Sequence, residues 1–133
     1  MVQAYQQQES PAAPSQKTIL VVEDDRNIGL MLVEVLSQET PYQTLLVTDG
    51  KQALNAFARV KPDLFITDYL LPEMNGLELY DCLQARAELK CPPTILMSSQ
   101  MPPLEEVKKR DLVPLTKPFD LDDFLNTVEA LIQ

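Results

Sequence analysis

The chain has 133 residues and 45% hydrophobic content, enough for one domain to bury a core without disulfides or a structural metal. A formal net charge of -9 and a pI near 4.4 leave no general basic surface, and Lys and Arg contacts to phosphate supply most non-specific nucleic-acid affinity; direct nucleic-acid binding is not expected. The absence of histidine removes the commonest general base, an imidazole metal ligand and any phosphohistidine formed within the chain, so chemistry must run on carboxylates, hydroxyls and lysine.

Residues 1–16 are rich in Gln, Ala, Pro and Ser and cluster almost no apolar side chains. Such a composition cannot offset the entropy of ordering, and a disordered polar tail is expected there, with one folded domain over 17–133. Thr18-Ile19-Leu20-Val21-Val22 is a β-branched apolar run of the kind buried on both faces, a first strand that ends in Glu23-Asp24-Asp25. Ile28, Met31, Leu32, Val35 and Leu36 then recur at helical spacing, predicting an amphipathic helix that Asp25 caps and that ends near Thr40-Pro41. Tyr42 to Val47 reads as a second strand. Asp49-Gly50-Lys51-Gln52 has capping-box spacing and starts a helix through Val60 that buries Ala53, Phe57 and Val60.

Pro62-Asp63 breaks that helix, and Leu64 to Asp68 forms a third strand running into a turn with Pro72, Asn75 and Gly76. The next helix, Leu77 to Ala87, carries Leu79, Cys82 and Leu83 on one face. Pro93 to Met97 is a fourth strand and stops at Ser98-Ser99; Leu104 to Arg110 is a short helix whose Lys108-Lys109-Arg110 places favourable charge at its C-terminus. Leu112 to Thr116 is a fifth strand, ended by Lys117-Pro118. Asp120 caps a last helix with Asp123 in its first turn and Leu121, Phe124, Leu125 and Val128 toward the core.

Five strands alternating with five helices over short connections predict an α/β fold, a doubly wound parallel sheet with helices on both faces. Crossovers of one hand gather the strand C-termini on one edge, which would collect Glu23, Asp24, Asp68, Ser98 and Lys117. Three carboxylates brought this close repel unless a cation intervenes. Magnesium suits them, since it takes a few carboxylate oxygens, keeps waters and leaves room for a phosphoryl oxygen. The Ser98 hydroxyl and the Lys117 ammonium then supply donors to the remaining phosphoryl oxygens. Carboxylate, metal, hydroxyl and lysine together make the set needed for phosphoryl transfer onto an aspartate.

Cys82 and Cys91 have neither CxxC spacing nor histidine partners, so zinc binding and thiol catalysis are not expected; Cys82 reads as a small buried hydrophobe. Reduced thiols, with no long apolar run and no leader segment, predict a soluble, cytoplasmic chain without a membrane partner.

The chain resembles the receiver domains of two-component response regulators from about Lys17 onward. The resemblance is carried by Leu20-Val21-Val22-Glu23-Asp24-Asp25, by Asp68 with Leu71-Pro72 and Asn75-Gly76, by Ser98-Ser99 after a strand, and by Lys117-Pro118-Phe119. Thr48-Asp49-Gly50 with Ala53-Leu54 is similar to the family's second strand and helix start. The resemblance implies a flavodoxin-like (βα)5 sheet of order 2-1-3-4-5. It implies Asp68 as phosphoacceptor, fed by a histidine kinase or phosphotransfer protein. It also implies a Mg2+ site of Asp24 beside Asp68, Glu23 partly through water, and the Leu70 backbone carbonyl. Ser98 would bind a phosphoryl oxygen, Lys117 would pair with the phosphoryl group or with Asp68, and Pro118 would follow a cis peptide. An output domain or partner protein, and a homodimer through the fourth helix, fifth strand and fifth helix, are further partners the resemblance suggests.

Departures from the family pattern gather between Ser98 and Lys117, which lies only nineteen positions on. Met101-Pro102-Pro103 delays a fourth helix that is already short, the Gly-Ala turn common before the fifth strand is absent, and Pro114 stands where many receivers carry a switching aromatic. Pro114 also offers no donor to a strand ladder. Two other function classes compete. A Mg2+-dependent phosphohydrolase would set a second Asp two residues after its nucleophile, where this chain has Leu70. A receiver-like scaffold working without phosphorylation would need none of Glu23, Asp24, Asp68, Ser98 and Lys117.

Overall fold

In the computed structural model, which describes residues 16–86 and 91–132, strands and helices alternate without exception. They are β1 (Thr18–Val22), α1 (Arg26–Glu39), β2 (Gln43–Val47), α2 (Gly50–Val60), β3 (Leu64–Asp68), α3 (Gly76–Arg86), β4 (Thr94–Ser98), α4 (Leu104–Lys109), β5 (Val113–Thr116) and α5 (Leu121–Ile132). The strands form one parallel sheet of order β2-β1-β3-β4-β5. The tail expected over 1–16 lies outside the described residues apart from Gln16, as does the helix end expected at Ala87.

Side-chain alternation along the central strands sorts the core into layers. Ile19, Val21, Ile66, Ile95 and Met97 point to one face, where α1 and α5 bury Leu32, Leu36, Phe124 and Val128 against them. Leu20, Val22 and Phe65 point to the other, under Ala53 and Ala56 of α2 and Leu79 and Leu83 of α3. Leu96 continues that second face toward Leu77, Val107 and Leu112, which seat the short α4. β3 and β4 are buried at every residue, whereas the edge strands β2 and β5 are not, which matches the unbroken apolar runs of the interior and the mixed ones of the rim.

Several helix faces differ from the sequence expectation. In α2 the small Ala56 is buried beside Ala53 while Phe57 and Val60 are half-buried, since a close helix-to-sheet approach favours the smaller side chain and leaves the ring at the rim, edge-on to Phe65. Cys82 is half-buried, with Leu77 among the buried residues of α3. Leu121 is 38% exposed, and Ile132 at the far end of α5 is buried.

Caps set the register of the first two helices. Asp25 accepts from the Asn27 and Ile28 amides at 3.0 and 3.2 Å. Asp49 accepts from the Gln52 amide at 2.8 Å, while the Gln52 side-chain oxygen accepts from the Thr48 amide at 2.9 Å, a capping box displaced by one residue from the usual reciprocal pair. Pro114 costs β5 nothing. Parallel ladders use alternate residues, Lys117 donates to the Ser98 carbonyl at 2.9 Å, and the residue in Pro114's phase therefore faces the open edge. Where a Gly-Ala turn is missing, Asp111 takes φ 58° between α4 and β5, a left-handed conformation that a short Asp tolerates better than most residues.

Candidate functional site

The C-terminal ends of β1, β3, β4 and β5 meet at a single acidic pocket. Glu23 follows β1 directly and is buried to 1% exposure, held by the Asp25 amide, which donates to its Oε2 at 3.1 Å. Asp24, next in the chain, is exposed. Asp68 ends β3 and is 7% exposed. Lys117 leaves β5 and extends its ammonium between two carboxylates, 3.0 Å from Glu23 Oε1 and 2.9 Å from Asp68 Oδ1. The Lys117-Pro118 peptide is cis, as the family resemblance implied.

Burial is the largest influence on Glu23 and pushes its pKa up. The Asp25 amide and Lys117 oppose that shift, and the neighbouring Asp68 charge adds to it. For Lys117, burial pulls downward, but hydrogen bonds and charge attraction from Asp68 and Glu23 outweigh it and leave the ammonium held above its ordinary value. The lysine thus serves as the pocket's internal counter-ion.

Glu23, Asp24 and Asp68 each offer a carboxylate oxygen within 4.8 Å of the other two. Ligands of one octahedral magnesium ion at ~2.1 Å stand ~3.0 Å apart when adjacent and ~4.2 Å when opposite, so the three acids must draw inward, or one of them act through water, to share an ion. All-oxygen donors of this charge fit a hard divalent cation.

Two further expected site residues are Ser98 and Leu70. Ser98 is 3% exposed at the end of β4, but its hydroxyl is engaged by its own loop: Oγ donates to the Gln100 carbonyl at 2.9 Å and accepts from the Gln100 amide at 3.0 Å. Leu70 stands in the turn after Asp68 and is 56% exposed; its hydrocarbon side chain has no donor atom, so its backbone carbonyl is the candidate ligand. Asp25 and Asp49 act as helix caps, and Asp120 accepts from the Asp122 amide at 3.1 Å. Two contributors escaped the sequence reading, the Asp25 amide that holds Glu23 and the buried hydroxyl of Thr67, which donates to the Asp68 carbonyl at 2.9 Å. The signal for Thr67 was a lone polar residue inside an apolar strand.

A family model described as the response regulator receiver domain matches residues 19–129. Response regulator ArlR of Staphylococcus epidermidis is 30% identical over 118 residues, covering 86% of this chain and 52% of that protein. DNA-binding response regulator MtrA of Mycobacterium tuberculosis is 41% identical over 78 residues, 59% of this chain and 33% of that protein. The chain thus spans at most about half the length of these relatives. Among solved structures, the chemotaxis response regulator CheY4 of Vibrio cholerae superposes with a TM-score of 0.79 at 24% identity, covering 88% of this chain and 99% of the other. The signal receiver domain of a histidine kinase from Syntrophus aciditrophicus does so with a TM-score of 0.77 at 29% identity, covering 87% and 89%.

Proposed function

This chain belongs to the response regulator receiver domain family, and we propose that Asp68 is its phosphoacceptor, taking a phosphoryl group from a phosphohistidine on a partner histidine kinase or phosphotransfer protein. Receiver domains of two-component systems are phosphorylation signalling modules, and neither a scaffold nor a phosphohydrolase reading is favoured. The observation that carries the assignment is the Lys117 ammonium, 2.9 Å from Asp68 and 3.0 Å from Glu23, with Asp24 completing the acidic cluster.

The chemistry follows from these groups. A carboxylate oxygen of Asp68 attacks phosphorus, the new P–O bond forms as the P–N bond to imidazole breaks, and the imidazole departs with the electron pair. Lys117 turns from the carboxylate to a phosphoryl oxygen, where its charge is worth most because the pocket is partly desolvated. Ser98 donates to a second phosphoryl oxygen once its hydroxyl leaves the Gln100 backbone. Mg2+ held by Glu23, Asp24, Asp68 and the Leu70 carbonyl would supply positive charge against the phosphoryl oxygens. Phosphotransfer to self and slow hydrolysis of the aspartyl phosphate are the only turnover expected. The receiver unit is assigned to residues 17–133 in the cytoplasm; among the described residues no helix is long and apolar enough to cross a membrane.

Incubation with acetyl phosphate and Mg2+ tests the reading. One added phosphoryl group, abolished by Asp68→Asn, is the expected result. Repeated turnover of a phosphate ester would favour the phosphohydrolase, and no labelling at all would favour the scaffold.

A further inference from the structure

Thr67 is fully buried beside the pocket, yet nothing in the phosphotransfer chemistry above uses it. Its hydroxyl donates to the carbonyl of the next residue, Asp68, at 2.9 Å. The other end of that same peptide is held too, because the Tyr69 amide donates to the Met97 carbonyl at 2.8 Å. One residue on, the Tyr69 carbonyl accepts from the Gly76 amide at 2.7 Å. Gly76 also presses on the peptide directly. A Cβ at that position would stand 2.6 Å from the Asp68 carbonyl oxygen, 2.9 Å from Leu96 Cδ1 and 3.2 Å from Tyr69 Cα. Gly76 does not have a positive φ, so lack of space, and not backbone conformation, excludes a side chain there.

We propose that Thr67 and Gly76 are positioning residues for phosphotransfer: by pinning the Asp68-Tyr69 peptide they aim the Asp68 carboxylate. The inference rests on the assignment of Asp68 as phosphoacceptor. The pinned peptide shares its Cα with the Asp68 side chain, so a tilt of the peptide re-aims a carboxylate that must meet both Lys117 Nζ, 2.9 Å away, and an incoming phosphorus. Attack requires alignment of the reacting atoms, and small misplacement is costly in rate. The Leu70 carbonyl, the proposed backbone ligand, lies a single peptide beyond the Tyr69 carbonyl that the Gly76 amide holds and shares the same anchor.

Thr67→Val keeps the shape of the side chain and removes the donor; Thr67→Ser keeps the donor and removes a buried methyl. With acetyl phosphate and Mg2+, Thr67→Val and Gly76→Ala are expected to be labelled about tenfold more slowly than the wild type, and Thr67→Ser within about twofold of it. Urea unfolding run alongside separates rate from stability. In the metal-free protein the Tyr69 amide is expected to exchange its hydrogen faster in Thr67→Val than in Thr67→Ser. Wild-type labelling of Thr67→Val, or equal slowing of the Val and Ser variants, would overturn the proposal. Failure of the wild type to label would instead sink the assignment of Asp68, and unchanged Tyr69 exchange would still overturn the clamp.

Discussion

The pocket around Asp68 and the segment from Ser99 to Thr116 are neighbours held in different ways. The pocket is built at the ends of buried strands, with Glu23, Asp68 and Ser98 all under 8% exposed; ladder register fixes Asp68 and Ser98, and the Glu23 amide donates to the Val47 carbonyl at 3.1 Å. The segment after it has a helix of six residues, a single buried residue in that helix, Val107, and Leu104 exposed at 58%. Its main polar tether is Arg110, which grips Asp81 of α3 with two bonds of 2.9 Å and Glu106 of its own helix with another. A site shaped by strand ends inherits the rigidity of the sheet, whereas a helix hung on one valine and one arginine opens at far lower cost. On the proposed assignment of Asp68, the chemistry sits at the strand ends, and the weakly anchored segment beside it is proposed as the readout.

That contrast can be broken most forcefully from the pocket side. Lys117→Ala leaves Glu23 buried with no counter-ion and is expected to cost about 3 kcal/mol in urea unfolding at neutral pH. Glu23 holds its proton more tightly folded than unfolded, so its contribution favours folding below its ordinary value of 4.5 and is lost as pH rises through the elevated value. The Lys117→Ala penalty should therefore shrink toward pH 4.5. A penalty independent of pH would show that Glu23 is not the group left stranded.

On the segment side, Val107→Ala removes the one buried side chain of α4 itself and is expected to cost about 2 kcal/mol, with faster amide exchange confined to α4 and its flanks. Global loosening of the pocket amides would erase the distinction between the two regions. Arg110→Ala should cost less, about 1 kcal/mol, since its partners are half-exposed. The hydrogen bond from Arg110 holds Asp81 below its ordinary value of 3.8, so this stabilisation is present above 3.8 and lost as pH falls through the lowered value; the wild-type advantage over Arg110→Ala should shrink in acid.

The beryllofluoride phosphoryl mimic sharpens the comparison directly. Amide shifts are expected in the pocket and through 99–116 without any aromatic switch, and shifts limited to the pocket would sink the idea that the segment is the readout. Thr44→Val serves as a distant control. The Thr44 hydroxyl is buried without a hydrogen-bond partner, and its removal should stabilise the protein by up to about 1 kcal/mol while leaving labelling unchanged.

Strand and helix boundaries were legible because apolar runs, proline breaks and Asp caps are local signals; β1 and β3 run over the expected residues, and Asp25 and Asp49 cap where their spacing put them. The site was legible for a related reason. Parallel strands joined by crossovers of one hand must bring their C-terminal residues to one edge, so Glu23, Asp24, Asp68, Ser98 and Lys117 could be grouped from order alone. What sequence did not determine depends on distances between segments remote in the chain. Lys117 bridging Glu23 as well as Asp68, Ser98 turned to its own loop, the Arg110 grip on Asp81, and the Thr67 and Gly76 hold on one peptide all arise from how closely packed elements approach. Periodicity and caps specify which residues share a face. Only the packed tertiary structure decides which polar atoms come within hydrogen-bonding reach, because a difference of one ångström separates a bond from a mere neighbour.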